Sequence, residues 1–178
     1  MGLGGEMIVE VGHLRAAVLL DVEAARYVLD HEARLANEAT GIGVTEEKRA
    51  VVEVHHRVGG NPQRALLGGV LVPGSADTLD LRVGLSGLMT NGATPTCPGS
   101  LGRDLVPGLP DEFGTAILAA LSSGLHIPGV LTIDRAAYDE VESSRRIFGL
   151  VAALLAVVLS IEDDEVEKAV REHLESWR

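Results

Sequence analysis

The sequence is poor in cysteine, aromatic residues, basic charge and long apolar runs. A single cysteine, Cys97, excludes an internal disulfide and a cysteine-based zinc site, so a reducing, cytoplasmic setting is the expectation. Aromatic residues make up 3% of the 178 residues, so a core must come from Val, Leu, Ile and Ala within a hydrophobic fraction of 46%. There are 15 Lys and Arg against 26 Asp and Glu, a formal net charge of −11. That balance argues against broad nucleic-acid affinity and anionic membrane surfaces, while leaving room for a small local basic patch. No apolar run reaches the ~18 residues needed to cross a bilayer. The start has no basic region leading into a long apolar stretch, so no signal peptide is expected. Glu6 stands where a lipidation pattern beginning at Gly2 needs Ser or Thr.

The segment Asp139–Leu159, DEVESSRRIFGLVAALLAVVL, organises what is present. Glu142, Ser143 and Ser144 read as a helix start, because a serine oxygen accepts from a free first-turn amide and a carboxylate suits that end. From Ile147 onward every helical face is apolar or small, which predicts a buried helix. Gly149, Ala152, Ala153 and Ala156 permit close approach to a sheet.

Residues 7–20 contain one or two short strand-like pieces. Residues 22–39 read as a helix with Val22, Ala25, Leu29, Leu35 and Ala39 on one face, closed by Gly41 and Gly43. Strand is the alternative for its first half, around Tyr27–Leu29. Residues 48–58 read as a strand, Gly59-Gly60-Asn61-Pro62 as a turn, and Ala65–Val72 as the returning strand. Gly68 and Gly69 suggest a bulge or a close backbone approach there. After Pro73-Gly74, Thr78–Leu85 alternates as a third strand, completing a meander of hairpins. Residues 86–109, rich in Gly, Pro, Ser and Thr, read as a long exposed loop. Pro110 opens a helix that runs to Gly124, and Val130–Ile133 is a fourth strand. In the tail, 161–178, Val166, Val170, Leu174 and Trp177 recur at helical spacing. It reads as a solvated helix packed by one face, or as a dimerisation helix presenting Trp177. The expectation is an α+β, two-layer α/β sandwich, with an antiparallel-rich four-stranded sheet and helices on one face. A strand/helix extension covers 1–47, the main domain 48–160 with the loop insertion 86–109, and the amphipathic tail 161–178.

Three motifs in order carry a resemblance: VGGNPQR (Val58–Arg64) followed by VPGS (Val72–Ser75), LVPGLPDEFGTAILAAL (Leu105–Leu121), and YDEVESSRRIFGLVAALL (Tyr138–Leu155). In this the chain resembles the fourth domain of elongation factor G and its translational GTPase relatives, over roughly residues 48–160. The resemblance implies the fold of domain 2 of ribosomal protein S-five, with two helices on one face of a four-stranded sheet. The candidate RNA- or partner-binding residues it points to are Arg57, Gly59, Gly60, Gln63 and Arg64 of the turn, with Tyr138, Asp139 and Glu140, and ribosome or RNA contact is what the relatives imply for the turn. No GxxxxGK[ST] loop is present, so no GTPase accompanies the domain. Asp139 stands where the family carries a histidine, and an anion there repels RNA phosphates.

Few residues invite chemistry. His55 and His56 are adjacent on a strand and point to opposite faces, which is a poor metal pair. Asp139, Glu140 and Glu142 form a carboxylate cluster, read as a solvated acidic turn rather than a cation site. The glycine-rich loop does not feed directly into a helix, as a phosphate loop should. Cys97 and His126 are the residues an enzyme would use, although no histidine neighbours Cys97 in the sequence. The leading expectation is a non-catalytic domain without cofactor or metal, binding a protein or a second copy of itself through loop 86–109 or the tail.

Overall fold

The computed structural model describes residues 5–177. Gly2–Gly4 of the lipidation reading, and Arg178, fall outside it. β1 (Glu6–Val11) and β2 (Leu14–Leu20) form a hairpin turned at Gly12, whose φ is +60°. Then come β3 (His31–Glu38), β4 (Lys48–Val58), β5 (Asn61–Pro73), β6 (Thr78–Leu85) and the two-residue β7 (Val106–Pro107). α1 (Asp111–Gly124), β8 (Gly129–Tyr138), α2 (Arg145–Ser160) and α3 (Val166–Glu175) complete the chain. Among the described residues the strands form one mixed, open sheet of 8, in the order β1-β2-β4-β5-β8-β6-β3, with β7 beside the end of β8. Among the described residues no helix is long and apolar enough to cross a membrane.

The sheet is larger than the four strands expected. Those four, β4, β5, β8 and β6, are contiguous at its centre. β2 extends it on one side by pairing with β4 from Leu14↔His56 to Leu20↔Ala50. β3 extends it on the other side by pairing with β6. The expected meander stops at β5, because β8 inserts between β5 and β6, antiparallel to the first and parallel to the second. A parallel pair needs a long crossover, and the segment carrying α1 supplies it. β8 buries Leu131, Ile133 and Ala136 beneath the helices, and on its other face Ala137 joins a smaller apolar cluster.

The helix expected at 22–39 does not form. Asp21 and Ala25 lie in left-handed backbone, φ 56° and 60°, which breaks any helix there. His31–Glu38 instead satisfies the open backbone edge of β6. Glu32, Ala33, Arg34 and Ala36 are good helix formers, but the ladder outweighs that preference. The bulge lies opposite Gly68 and Gly69, on β8: the partner of Gly68 is Arg135 and that of Gly69 is Ile133, so Asp134 is the extra residue. A Cβ on Gly69 would overlap the Thr132 carbonyl oxygen.

α1 and α2 lie side by side on one face of the sheet, where Phe113 and Phe148 stack with ring centroids 4.5 Å apart. Ser144 caps α2 as read, its Oγ accepting from the Ile147 amide at 3.3 Å. α3 packs on β1 and α2 through Val166, Val170 and Leu174, all buried. The apolar stripe of the tail is therefore used within the chain. The opposite face carries a second cluster of Val51, Leu66, Cys97, Leu105 and Ala137. Loop 86–109 is not wholly exposed, because its second half folds onto this face. There Cys97 and Leu105 exchange backbone hydrogen bonds of 2.9 and 2.8 Å.

Replacing Phe148 with Ala removes the ring that joins the two helices to each other. Urea unfolding is expected to show a loss of about 3–5 kcal/mol for Phe148→Ala, against less than about 0.5 kcal/mol for exposed Val141→Ser.

Candidate functional site

One end of the sheet gathers the β1–β2 turn, the β4–β5 turn, the β8–α2 turn (139–144) and the loop before β7. Strand pairing produces this convergence: Arg57 N donates to His13 O at 3.2 Å, and Arg64 N to Glu142 O at 3.0 Å. The two groups of residues singled out by the resemblance meet at this end.

Arg64, read as a surface contact, is 2% exposed, and Glu53 beside it is 0% exposed. The Arg64 Nε and Nη2 groups both donate to Glu53 Oε1, at 2.8 and 2.7 Å. Glu53 Oε2 accepts from the Ser100 amide at 2.7 Å. Gly99 and Gly102 pack against the guanidinium, and a Cβ on Gly99 would overlap Nη2. The role of Arg64 is thus internal: it fastens loop 98–103 to the sheet. The alternation of β4 alone places Glu53 opposite Val52 and Val54, but the sequence gives no sign of its partner. Gly59 and Gly60 form the tip of the turn at φ 55° and 87°, and Arg57 is exposed beside them. Gln63, half-buried, pairs with His56 across the β4–β5 ladder.

The carboxylates of the β8–α2 turn are all engaged. Asp139 Oδ1 accepts from the amides of Val141 and Glu142 at 2.8 and 2.9 Å. Glu140 Oε1 accepts from the Ala93 amide at 2.8 Å, and Glu142 Oε1 from Arg103 at 2.6 Å. Ser143 Oγ donates to Arg64 O at 2.6 Å and so ties this turn to β5. Among the described residues no group of three or more His, Cys, Asp or Glu is placed to hold a metal ion.

The two enzyme candidates do not meet. Cys97 is buried in the second cluster, and burial together with the Glu53 carboxylate pushes its thiol pKa up, away from the thiolate. His126 lies at the far end of β8, its ring nitrogen Nε2 3.0 Å from Ser123 O. At about 3.3 Å per residue the length of β8 separates it from Asp139 by roughly 30 Å.

Two concavities open at this end. The first is a groove of ≈ 590 Å³ between Tyr27, Val28, Leu88, Val106 and Tyr138. It continues into a smaller hollow of ≈ 230 Å³ bounded by Asp139, Glu140 and Val141, with Ala93, Val106 and Tyr138 common to both. Tyr138 is buried against Gly108, and burial raises its phenol pKa. Val28, Leu88 and Val141 stand 88%, 87% and 88% exposed at the rims. The second is a cleft of ≈ 420 Å³ lined by His13, His56, Arg57, Arg146 and Trp177, with Val11 and Leu14 behind them. His13 and Arg146 went unnoticed in the sequence because they belong to turns and helices far apart in the chain.

The pair Glu53–Arg64 is a strong constraint on stability. Glu53→Ala leaves a buried, unpaired guanidinium, and a loss of about 3–5 kcal/mol in urea unfolding is expected. Three histidines predict acid sensitivity. Burial lowers the pKa of His55, His56 and His173 in the folded chain, and nearby Arg64 and Arg146 lower the first two further. The unfolded chain then binds more protons, so stability is full above about pH 6.5 and falls as pH drops through that value. Melting at pH 7.5 and pH 5.5 is expected to show the lower temperature at pH 5.5, with a smaller difference in His56→Gln.

No family model, curated protein or solved structure matches the chain.

Proposed function

We propose that the chain is a non-catalytic protein-binding module whose docking surface is the groove beside Tyr138. The observation that carries this reading is the set of exposed apolar side chains, Val28, Leu88 and Val141, around two concavities that share Ala93, Val106 and Tyr138. Exposed apolar side chains gathered at a groove mark interaction sites more often than scattered ones do. The occupant is an apolar segment of another protein. Self-association through α3 is disfavoured because Val166, Val170 and Leu174 are already buried within the chain.

An RNA-contacting role draws less support, since Arg64 is internal and Asp139 serves its own turn. The likeness to the fourth domain of elongation factor G, and the S-five-type fold it implies, belong to this proposal. They rest on the sequence motifs, and the order β4-β5-β8-β6 beneath α1 and α2 is compatible with them. A cytoplasmic location belongs to it as well, resting on the lone Cys97.

The test compares co-purification on wild type, Leu88→Asp and Ile42→Asp, the last altering an equally exposed residue outside the groove. The expected result is a stoichiometric partner retained by wild type and Ile42→Asp and reduced about tenfold on Leu88→Asp, as for an apolar anchor. Equal recovery on all three overturns the groove as the docking surface. A dimer by light scattering that Leu88→Asp dissolves reassigns the partner to a second copy.

A further inference from the structure

The cleft between the β1–β2 turn, the β4–β5 turn and α2 is chemically unlike the rest of the molecule. In a chain of net charge −11, its lining holds His13, His56, Arg57 and Arg146 and no aspartate or glutamate. Most arginines elsewhere are paired, Arg64 with Glu53, Arg82 with Asp80, Arg103 with Glu142 and Arg49 with Asp134, while Arg145 stands exposed with no carboxylate partner among the described residues. Among the described residues no carboxylate pairs with Arg57 or Arg146. Two exposed guanidinium groups thus line one cleft with no carboxylate among the described residues to occupy their donors, which leaves them open to an anion. The same field is felt by His56, whose pKa is lowered by burial and then by Arg146, His55 and His13.

The other wall is apolar. Trp177 stands beside the cations, braced edge-on by His173 with ring centroids 5.2 Å apart, while Val11 and Leu14 form the floor. The cleft volume, ≈ 420 Å³, is in the range of small-ligand sites, about 300–1,000 Å³. The fold sets the backbone from which these side chains extend: Arg57 N donates to His13 O, Leu14 is opposite His56 across the β2–β4 ladder, and Ser144 sets the start of α2.

We propose that this cleft binds a small organic oxyanion of the phosphate-ester class, its oxygens held by Arg57 and Arg146 and its apolar part laid against Trp177. Arginine matches phosphate oxygens through paired N–H donors, and a flat apolar group gains by covering the indole. The basic surface is confined to one cleft, which suits a small ligand rather than a polymer of phosphates.

Trp177 is the sole tryptophan, so its fluorescence reports occupancy directly. Titrations at constant ionic strength would use phenyl phosphate, inorganic phosphate and polyuridylate. The expected result is a saturable change with phenyl phosphate at a dissociation constant at or below about 1 mM, and weaker binding of inorganic phosphate. Arg57→Gln and Arg146→Gln should each weaken phenyl phosphate about tenfold, as loss of a charge-assisted contact does, while exposed Arg145→Gln leaves it within about twofold. Circular dichroism confirms that each variant is folded. No saturation, wild-type affinity retained by Arg57→Gln and Arg146→Gln, or polyuridylate binding more tightly than phenyl phosphate would each overturn the proposal.

Discussion

Two charged groups shut away from water, Glu53 on β4 and Arg64 on β5, hold the outer face of the sheet together. Burying both charges is expensive, and the cost is recovered only if every oxygen and N–H finds a partner. The Glu53 carboxylate meets this demand by accepting from Arg64 with one oxygen and from the Ser100 amide with the other. Gly99 and Gly102 are small enough to let the loop close over the guanidinium. The backbone of Arg64 receives the β8–α2 turn through Glu142 O and Ser143 Oγ. One residue thus fixes a strand, a loop and a helix entry, and these bring the groove and the cleft to the same end of the molecule.

The features easiest to read in the sequence were those set by local chemistry. Ser144 as a cap, Pro110 before α1, the turn at Gly59-Gly60 and the close backbone approach at Gly68-Gly69 all follow from what those residue types allow. The four inner strands announced themselves through β-branched and alternating residues. What could not be read was pairing between distant segments. Nothing in Gly129–Tyr138 says that it lies between β5 and β6, and nothing in His31–Glu38 says that an open strand edge awaits it. The exposed side chains of β3 carry neither a two-residue nor a helical apolar pattern, so periodicity misled there.

The site was legible in the same partial way. Tyr138, Asp139, Glu140 and the β4–β5 turn do share one end of the sheet. Arg64 was assigned to the surface because arginine is normally exposed, and a buried arginine depends on a carboxylate eleven positions earlier that only strand register can align with it. The cleft was invisible because His13, Arg57, Arg146 and Trp177 come from four separate stretches. The apolar groove and the basic cleft occupy different surfaces of this end.

The central claim is that the loop before β7 is clamped onto the sheet by Glu53 and Arg64, and the buried thiol of Cys97 measures this directly. Reaction with a thiol reagent under native conditions is predicted to be slow and limited by opening of the loop, then immediate in denaturant. Prompt, stoichiometric labelling of the native protein would contradict the account, because it would mean that the loop is open and the groove it builds is not formed.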